Sequence, residues 1–194
     1  MKRAQVHTLE AVVGAFLLLA SLTFAIQMTA VTPLSASTSS QHVENQLQAS
    51  AEGVLADATE AGDLERALLY FDSSPGQFHN TSGNRYYTSK SPPNEFGETL
   101  RRAFDTRGIA YNVYVHYRVG NGRQSVRMVY RGGPSDNAVR ATRTVLLVDN
   151  QTLLNETGSP RTTTIDGSNY FAPDMAPDSP VYNVLTVEVV VWRI

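Results

Sequence analysis

An α+β fold, with a long N-terminal apolar helix ahead of an antiparallel sheet of about four strands, is what this sequence predicts. Three observations carry it. Ala11 to Val31 reads AVVGAFLLLASLTFAIQMTAV without one Asp, Glu, Lys or Arg. Val43, Leu47, Ala51, Val54 and Ala58 then recur at spacings of three and four, a narrow helical seam suited to packing on a sheet. The second half holds strand-like stretches bounded by Gly and Asn turns, above all Ile109 to Arg131 and Tyr182 to Ile194.

The apolar run is long enough to cross a membrane. Its 21 residues rise roughly 31 Å as a helix, the thickness of a bilayer's hydrocarbon core. Ten of them are Leu, Ile, Phe or Val, which favour insertion by roughly 3 to 6 kcal/mol before Ser21, Thr23, Gln27 and Thr29 offset a part. Lys2 and Arg3 precede the run and no Lys or Arg follows it until Arg66. The positive-inside rule therefore predicts a single-pass protein of the cell membrane, its N-terminus cytoplasmic and its head extracellular. A secretory signal has a shorter apolar region, about 7 to 15 residues, followed by a small-residue cleavage site. Thr23-Phe24-Ala25 and Ser35-Ala36-Ser37 are both poor matches to such a site. Within the run, Ala20, Thr23, Gln27 and Ala30 form a small and polar stripe on one face, the kind that lets helices approach closely in membranes.

Thr32-Pro33 is expected to interrupt the helix or to begin a new one, with a Ser-rich turn from Ser35 to Ser40 before the seam. Gly62 fits a helix stop, and Asp63 a cap for a short helix, Leu64 to Phe71. Ser73 to Pro93 is rich in Ser, Gly, Pro and Asn and predicts an irregular exposed loop. Asn94 is placed to cap an amphipathic helix on which Phe96, Leu100, Ala103 and Phe104 share a face, with Arg101, Arg102 and Arg107 outward. In the hairpin from Ile109 to Arg131, a type I′ turn at Asn121-Gly122 would pair Tyr117 with Val126, Val115 with Met128, and Val113 with Tyr130. His116 would then lie opposite Arg127, and Arg118 opposite Ser125. Val139 to Val148 adds a third strand, and the last stretch, apolar on both faces, suits a central one.

Composition removes several kinds of chemistry. With no cysteine there are no disulfides, thiolate metal sites or thiol nucleophiles. The histidines, His7, His42, His79 and His116, fall in four different elements and match no metal-ligand or nucleophile spacing. No enzyme activity, cofactor or metal is expected. Asp166, Asp174 and Asp178 follow no calcium-loop spacing and read as solvated turn acids. The net charge of −2 covers an acidic stretch, His42 to Asn80, and an arginine-rich one, Asn94 to Arg143. Arg101, Arg102, Arg118, Arg127, Arg140 and Arg143 with Tyr114 and Tyr130 are the set that nucleic acid would use, but opposite charges usually pair within a fold, and no nucleic acid is expected. Asn80, Asn150 and Asn155 head N-x-Ser/Thr sequons, the possible glycosylation sites.

Lys2-Arg3-Ala4-Gln5, followed by His7-Thr8-Leu9-Glu10 and the apolar helix, resembles the class III signal of type IV pilins, archaeal ones in particular. The resemblance implies a prepilin-type peptidase as processing partner, cutting between Ala4 and Gln5. It also implies an assembly role for Glu10, compensating the new amino group of a neighbouring pilin-like subunit. Glu10 stands sixth after that cut, and fifth if the cut falls behind Gln5. The reading of Glu10 as an ordinary acid at a helix start stays equally open. The head is similar to an uncharacterised family of haloarchaeal pilin-like secreted proteins over Thr32 to Gln41, Pro134 to Thr144 and Tyr182 to Trp192, a likeness that implies a pilin-like head but no activity. The organisation expected is a cytoplasmic signal-like segment over 1–10, a transmembrane helix over 11–31, a helix leading into the head over 32–62 and an extracellular α+β head over 63–194. The function expected is that of a membrane-anchored surface protein, a minor filament subunit or assembly component. The alternative is a tethered binding or adhesion module that does not polymerise, its contact surface formed by Ser73 to Pro93 and Gly158 to Pro180.

Overall fold

A computed structural model describes residues 2–81 and 83–193, with side chains described over 7–27, 41–81 and 83–193. The fold is α+β, with an N-terminal apolar helix and a four-stranded antiparallel sheet. The chain divides into two compact units, Met1–Val43 and Glu44–Ile194.

The first helix, α1, is Lys2–Glu60. The backbone stays helical across Thr32-Pro33 and Ser35 to Ser40, so the expected break and turn are absent there. A proline removes only its own backbone donor, and one lost bond does not end a helix whose other bonds are made. In the second unit the seam behaves as its spacing requires. Leu47, Ala51, Val54 and Ala58 are buried, with Leu55 beside them, while Glu52, Asp57 and Glu60 face water. A short helix, α2 (Asp63–Leu69), follows and buries Leu64, Ala67, Leu68 and Leu69. Helix α3 (Glu95–Ala103) starts on Asn94, whose side-chain oxygen accepts from the Gly97 N–H at 3.0 Å. Phe96, Leu100 and Phe104 are fully buried, and Arg101, Arg102 and Arg107 are exposed.

Among the described residues, eight strands flank or follow these helices. The first six are β1 (Phe71–Asp72), β2 (Gln77–Phe78), β3 (Ile109–Val119), β4 (Gly122–Val129), β5 (Val139–Val148) and β6 (Thr152–Leu154). Strand β7 (Pro160–Thr164) and the long β8 (Val181–Arg193) complete the set. The main sheet runs β4-β3-β8-β5, which makes β8 central as its two apolar faces demand. One face, with Tyr111, Val113, Val115, Leu185, Val187, Val189 and Val191, is buried outright. On the other, Ala110, Val190 and Trp192 make a smaller buried cluster against Tyr114 and Ala138. Two small sheets, β1-β2 and β6-β7, escape sequence reading, because two-residue strands and an exposed Pro-Arg-Thr-Thr-Thr carry no apolar alternation.

The hairpin forms, but not in the register that its turn was expected to set. Val119 pairs with Gly122, so the central residues are Gly120-Asn121, and Val115 faces Val126 while Tyr117 faces Gln124. Gly120 takes φ of 55°, as the first central residue of a type II′ turn does. His116 accordingly faces Ser125, and Arg118 faces Arg123. From Tyr114 to Val119 the slip is of two residues, so no side chain changes face there, whereas beyond it Val113 faces Val129 instead of Tyr130, an offset of one. A bulge at Val113/Tyr114 then restores contact further along, where both Met128 and Val129 are buried.

Ser73 to Pro93 is not exposed throughout. Phe78, His79 and Tyr87 in it are buried. The Tyr87 N–H donates to the Met128 carbonyl at 2.9 Å and its own carbonyl accepts from the Tyr130 N–H at 2.8 Å, so this stretch is held to the sheet by backbone bonds.

Candidate functional site

Two features rise from this fold. The first lies in the first unit, where His7–Gln27 forms 21 helical residues of mean hydropathy 2.2, none of them buried. Phe16, Leu17, Leu18, Leu19, Leu22, Phe24 and Ile26 are all exposed. A soluble surface rarely leaves so long an apolar stretch uncovered. Glu10 is the only Asp, Glu, Lys or Arg within it, exposed and 3.4 Å from His7 Nδ1 one turn back. Ala20, Thr23 and Gln27 are likewise exposed. The Ser21 and Thr23 hydroxyls donate to the Leu18 and Leu19 carbonyls at 2.9 and 2.7 Å, so their polarity is absorbed by the helix itself. The side chains of Ala4, Gln5 and Ala30, expected at the processing site and on the stripe, lie outside the described residues.

The second feature is a cleft of about 420 Å³ in the head, within the size range of small-molecule sites. It is built where Ser73 to Pro93 and Gly158 to Pro180, the two stretches expected to offer a contact surface, meet the edge strand β4. Its floor is aromatic because Phe71 of β1, Phe78 of β2 and Phe171 stack edge to face, with centroids 5.4 to 5.9 Å apart. Tyr170 packs on Phe171 at 4.2 Å and anchors the loop by donating its hydroxyl to the Leu68 carbonyl at 3.0 Å. The turn ahead of it is stiffened by Asp166, whose carboxylate accepts from the Ser168 hydroxyl and N–H at 2.6 and 2.7 Å. Those bonds hold its carboxyl below the usual carboxylate range. At the rim, the Arg127 guanidinium lies 4.3 Å from the Tyr130 ring centroid and 5.7 Å from that of Tyr86. Arg85 joins the rim in a left-handed backbone conformation, φ 62°.

The remaining polar groups do other work. Arg131 pairs with Asp105, donates to the Tyr111 hydroxyl at 2.7 Å and lies 4.0 Å over the Tyr111 ring, while Ser91 bonds both Asp105 and Tyr111. Burial pushes the Tyr111 hydroxyl up to about 12. This network ties the segment before α3 to β3 and engages both terminal nitrogens of Arg131, while its Nε is buried without a partner. Glu188 on β8 takes His116 at 2.8 Å and Arg140 at 3.7 Å. Of the arginines weighed for nucleic acid, Arg101 pairs with Glu98 on its own helix, Arg140 with Glu188, and Arg127 lies against aromatic rings. The histidines do not fall in four elements, since His7 and His42 share α1; His79 is buried with its Nε2 2.9 Å from the Leu154 carbonyl oxygen. Among the described residues, no three His, Asp or Glu side chains stand where they could share a metal ion. Asp174 instead accepts from the Ala176 N–H at 2.8 Å in its own turn.

Of the sequon asparagines, Asn150 is exposed and Asn155 half-buried, its carbonyl oxygen accepting from Thr157 and Ser159. Asn80 donates its side-chain nitrogen, the atom a glycan would need, to the Tyr70 hydroxyl at 2.8 Å. The third residue of that sequon, Ser82, lies outside the described residues.

Helix, sheet and cleft together define an α+β protein with an N-terminal apolar helix, compatible with a membrane or signal anchor, and a head bearing one aromatic cleft of ligand-binding size. Residues 3–191 match a family of unknown function, DUF7288, and the chain belongs to that family. No curated protein and no solved structure matches it.

Proposed function

We propose that this chain is a pilin-like protein of the cell surface, held in the membrane by its N-terminal helix with the head outside. The observation that carries the reading is His7–Gln27, apolar, exposed along its whole length and interrupted by a single acid. Lys2 and Arg3 ahead of it, with no further Lys or Arg before Arg66, support a cytoplasmic start. An acid inside an apolar span is costly unless something answers it, which supports Glu10 as a docking group for a neighbouring subunit's amino terminus. In this reading the peptidase cuts between Ala4 and Gln5, and Ala20, Thr23, Gln27 and Ala30 face a second helix.

Mass spectrometry of the protein recovered from alkali-washed membranes tests this. A mature chain beginning at Gln5 or Val6 is expected. A retained Met1, or a start beyond Ala25, overturns pilin processing, and recovery in the wash overturns the anchor. A tethered binding module that never polymerises is the second reading, and the head cleft favours it. Glu10→Gln separates the two: a subunit loses assembly into filaments, whereas a plain anchor stays at the surface unchanged.

A further inference from the structure

The head cleft has the make-up of a recognition site for an anion carried on a ring. Arg85 and Arg127 line it, no Asp or Glu does, and neither arginine has a carboxylate partner among the described residues. Arg127 lies against two rings instead, 4.3 Å from the Tyr130 centroid and 5.7 Å from that of Tyr86, and its N–H groups remain to form a two-pronged bond with a carboxylate. Arg85 is exposed, so packing does not explain why a residue other than glycine holds φ of 62° there. Strain of this kind gathers where a side chain is being aimed. Tyr86 and Phe171 offer half-buried ring surface beside the two cations, with Ser73 and Gln77 as neutral hydrogen-bonding groups.

We propose that this cleft binds an acidic saccharide. The carboxylate takes the Arg85 and Arg127 guanidinium groups, the C–H face of the sugar lies on Tyr86 or Phe171, and the hydroxyls reach Ser73 and Gln77. The site lies wholly within residues 44–194 and does not depend on how the chain is anchored, so its failure leaves the membrane reading untouched.

Titration calorimetry on the full chain in a polyoxyethylene detergent, which carries no sugar headgroup, tests it with three probes: trigalacturonate, neutral maltotriose and phenylacetate. Trigalacturonate is expected to bind at least about tenfold more tightly than either of the others, the step that one lost charge-assisted pair produces. Arg127→Gln and Arg85→Gly should each weaken it by about tenfold, with thermal unfolding of both variants showing an intact head. No binding of trigalacturonate, equal binding of maltotriose, tighter binding of phenylacetate, or indifference to both substitutions would each overturn the assignment.

Discussion

At Gly97 the first turn of α3 passes directly against the chain that leads into it. A Cβ at this position would stand 1.8 Å from the Pro92 carbonyl oxygen, a backbone atom that cannot rotate away. Gly97→Ala should therefore destabilise the head by about 3 kcal/mol, despite alanine's better helix propensity, as urea denaturation would show. Asp105 poses a different problem, since among the described residues it is the only carboxylate paired with the largely buried Arg131. Asp105→Ala leaves that cation in place with its charge uncompensated, and should cost about 2 to 3 kcal/mol in the same measurement. The two cases show what sequence discloses at this scale. The Asn94 cap was legible because its partner is three positions away, within one turn of helix. The pairing of Asp105 with Arg131 spans 26 positions and depends on where β3 carries the chain, which no local spacing encodes. The cleft arginines were equally hidden. Arg127 was visible as one of many basic residues, and only the fold shows that rings rather than acids receive it.

Elements were legible where an apolar period ran long enough to choose a face. The strands β3, β5 and β8 meet that condition, and the structure has them within one or two residues of the expected ends, whereas the seam of α1 disclosed its buried face but not its start, since the helix runs on from Lys2. The hairpin register was not fixed by that pattern. The observed alignment gives up one apolar pair, setting Tyr117 against Gln124, and the choice falls to the turn, where Gly120 takes the positive φ. For α1 the decisive property is what its outward apolar residues touch. Leu18 is 72% exposed, the expectation for a lipid-facing side chain. Leu18→Arg near the middle of the span adds about 3 kcal/mol to the cost of insertion. The protein should then shift from the alkali-resistant membrane fraction to the supernatant, which immunoblotting of the two fractions would reveal.

For the whole molecule, the aromatic content governs its response to base. Burial raises the hydroxyls of Tyr70, Tyr87, Tyr111, Tyr117, Tyr170 and Tyr182 above the ordinary 10.0, Tyr111 to about 12. The unfolded chain thus releases these protons first, so stability is full below pH 10 and falls as pH rises towards 12. Six of the nine tyrosines share the shift, so they should ionise together in a cooperative step that coincides with loss of secondary structure. Tyrosinate absorbance and circular dichroism followed along one titration would test this.

The order of the sheet, β4-β3-β8-β5, has a bearing on the birth of the molecule. The strand synthesised last among the four is the one on which its neighbours depend: Ile109 waits for Arg193, and Val139 for Val191. Until β8 arrives, the β3–β4 hairpin and β5 have no common partner. Removal of residues 181–193 should accordingly abolish the cooperative thermal transition of the head rather than lower its midpoint. A nascent chain with such a sheet is kept open by its own topology until that strand is made. For the head, that delay works as a timer. It holds the chain pliable while it is made and lets it close only when the strand that joins the other three has emerged.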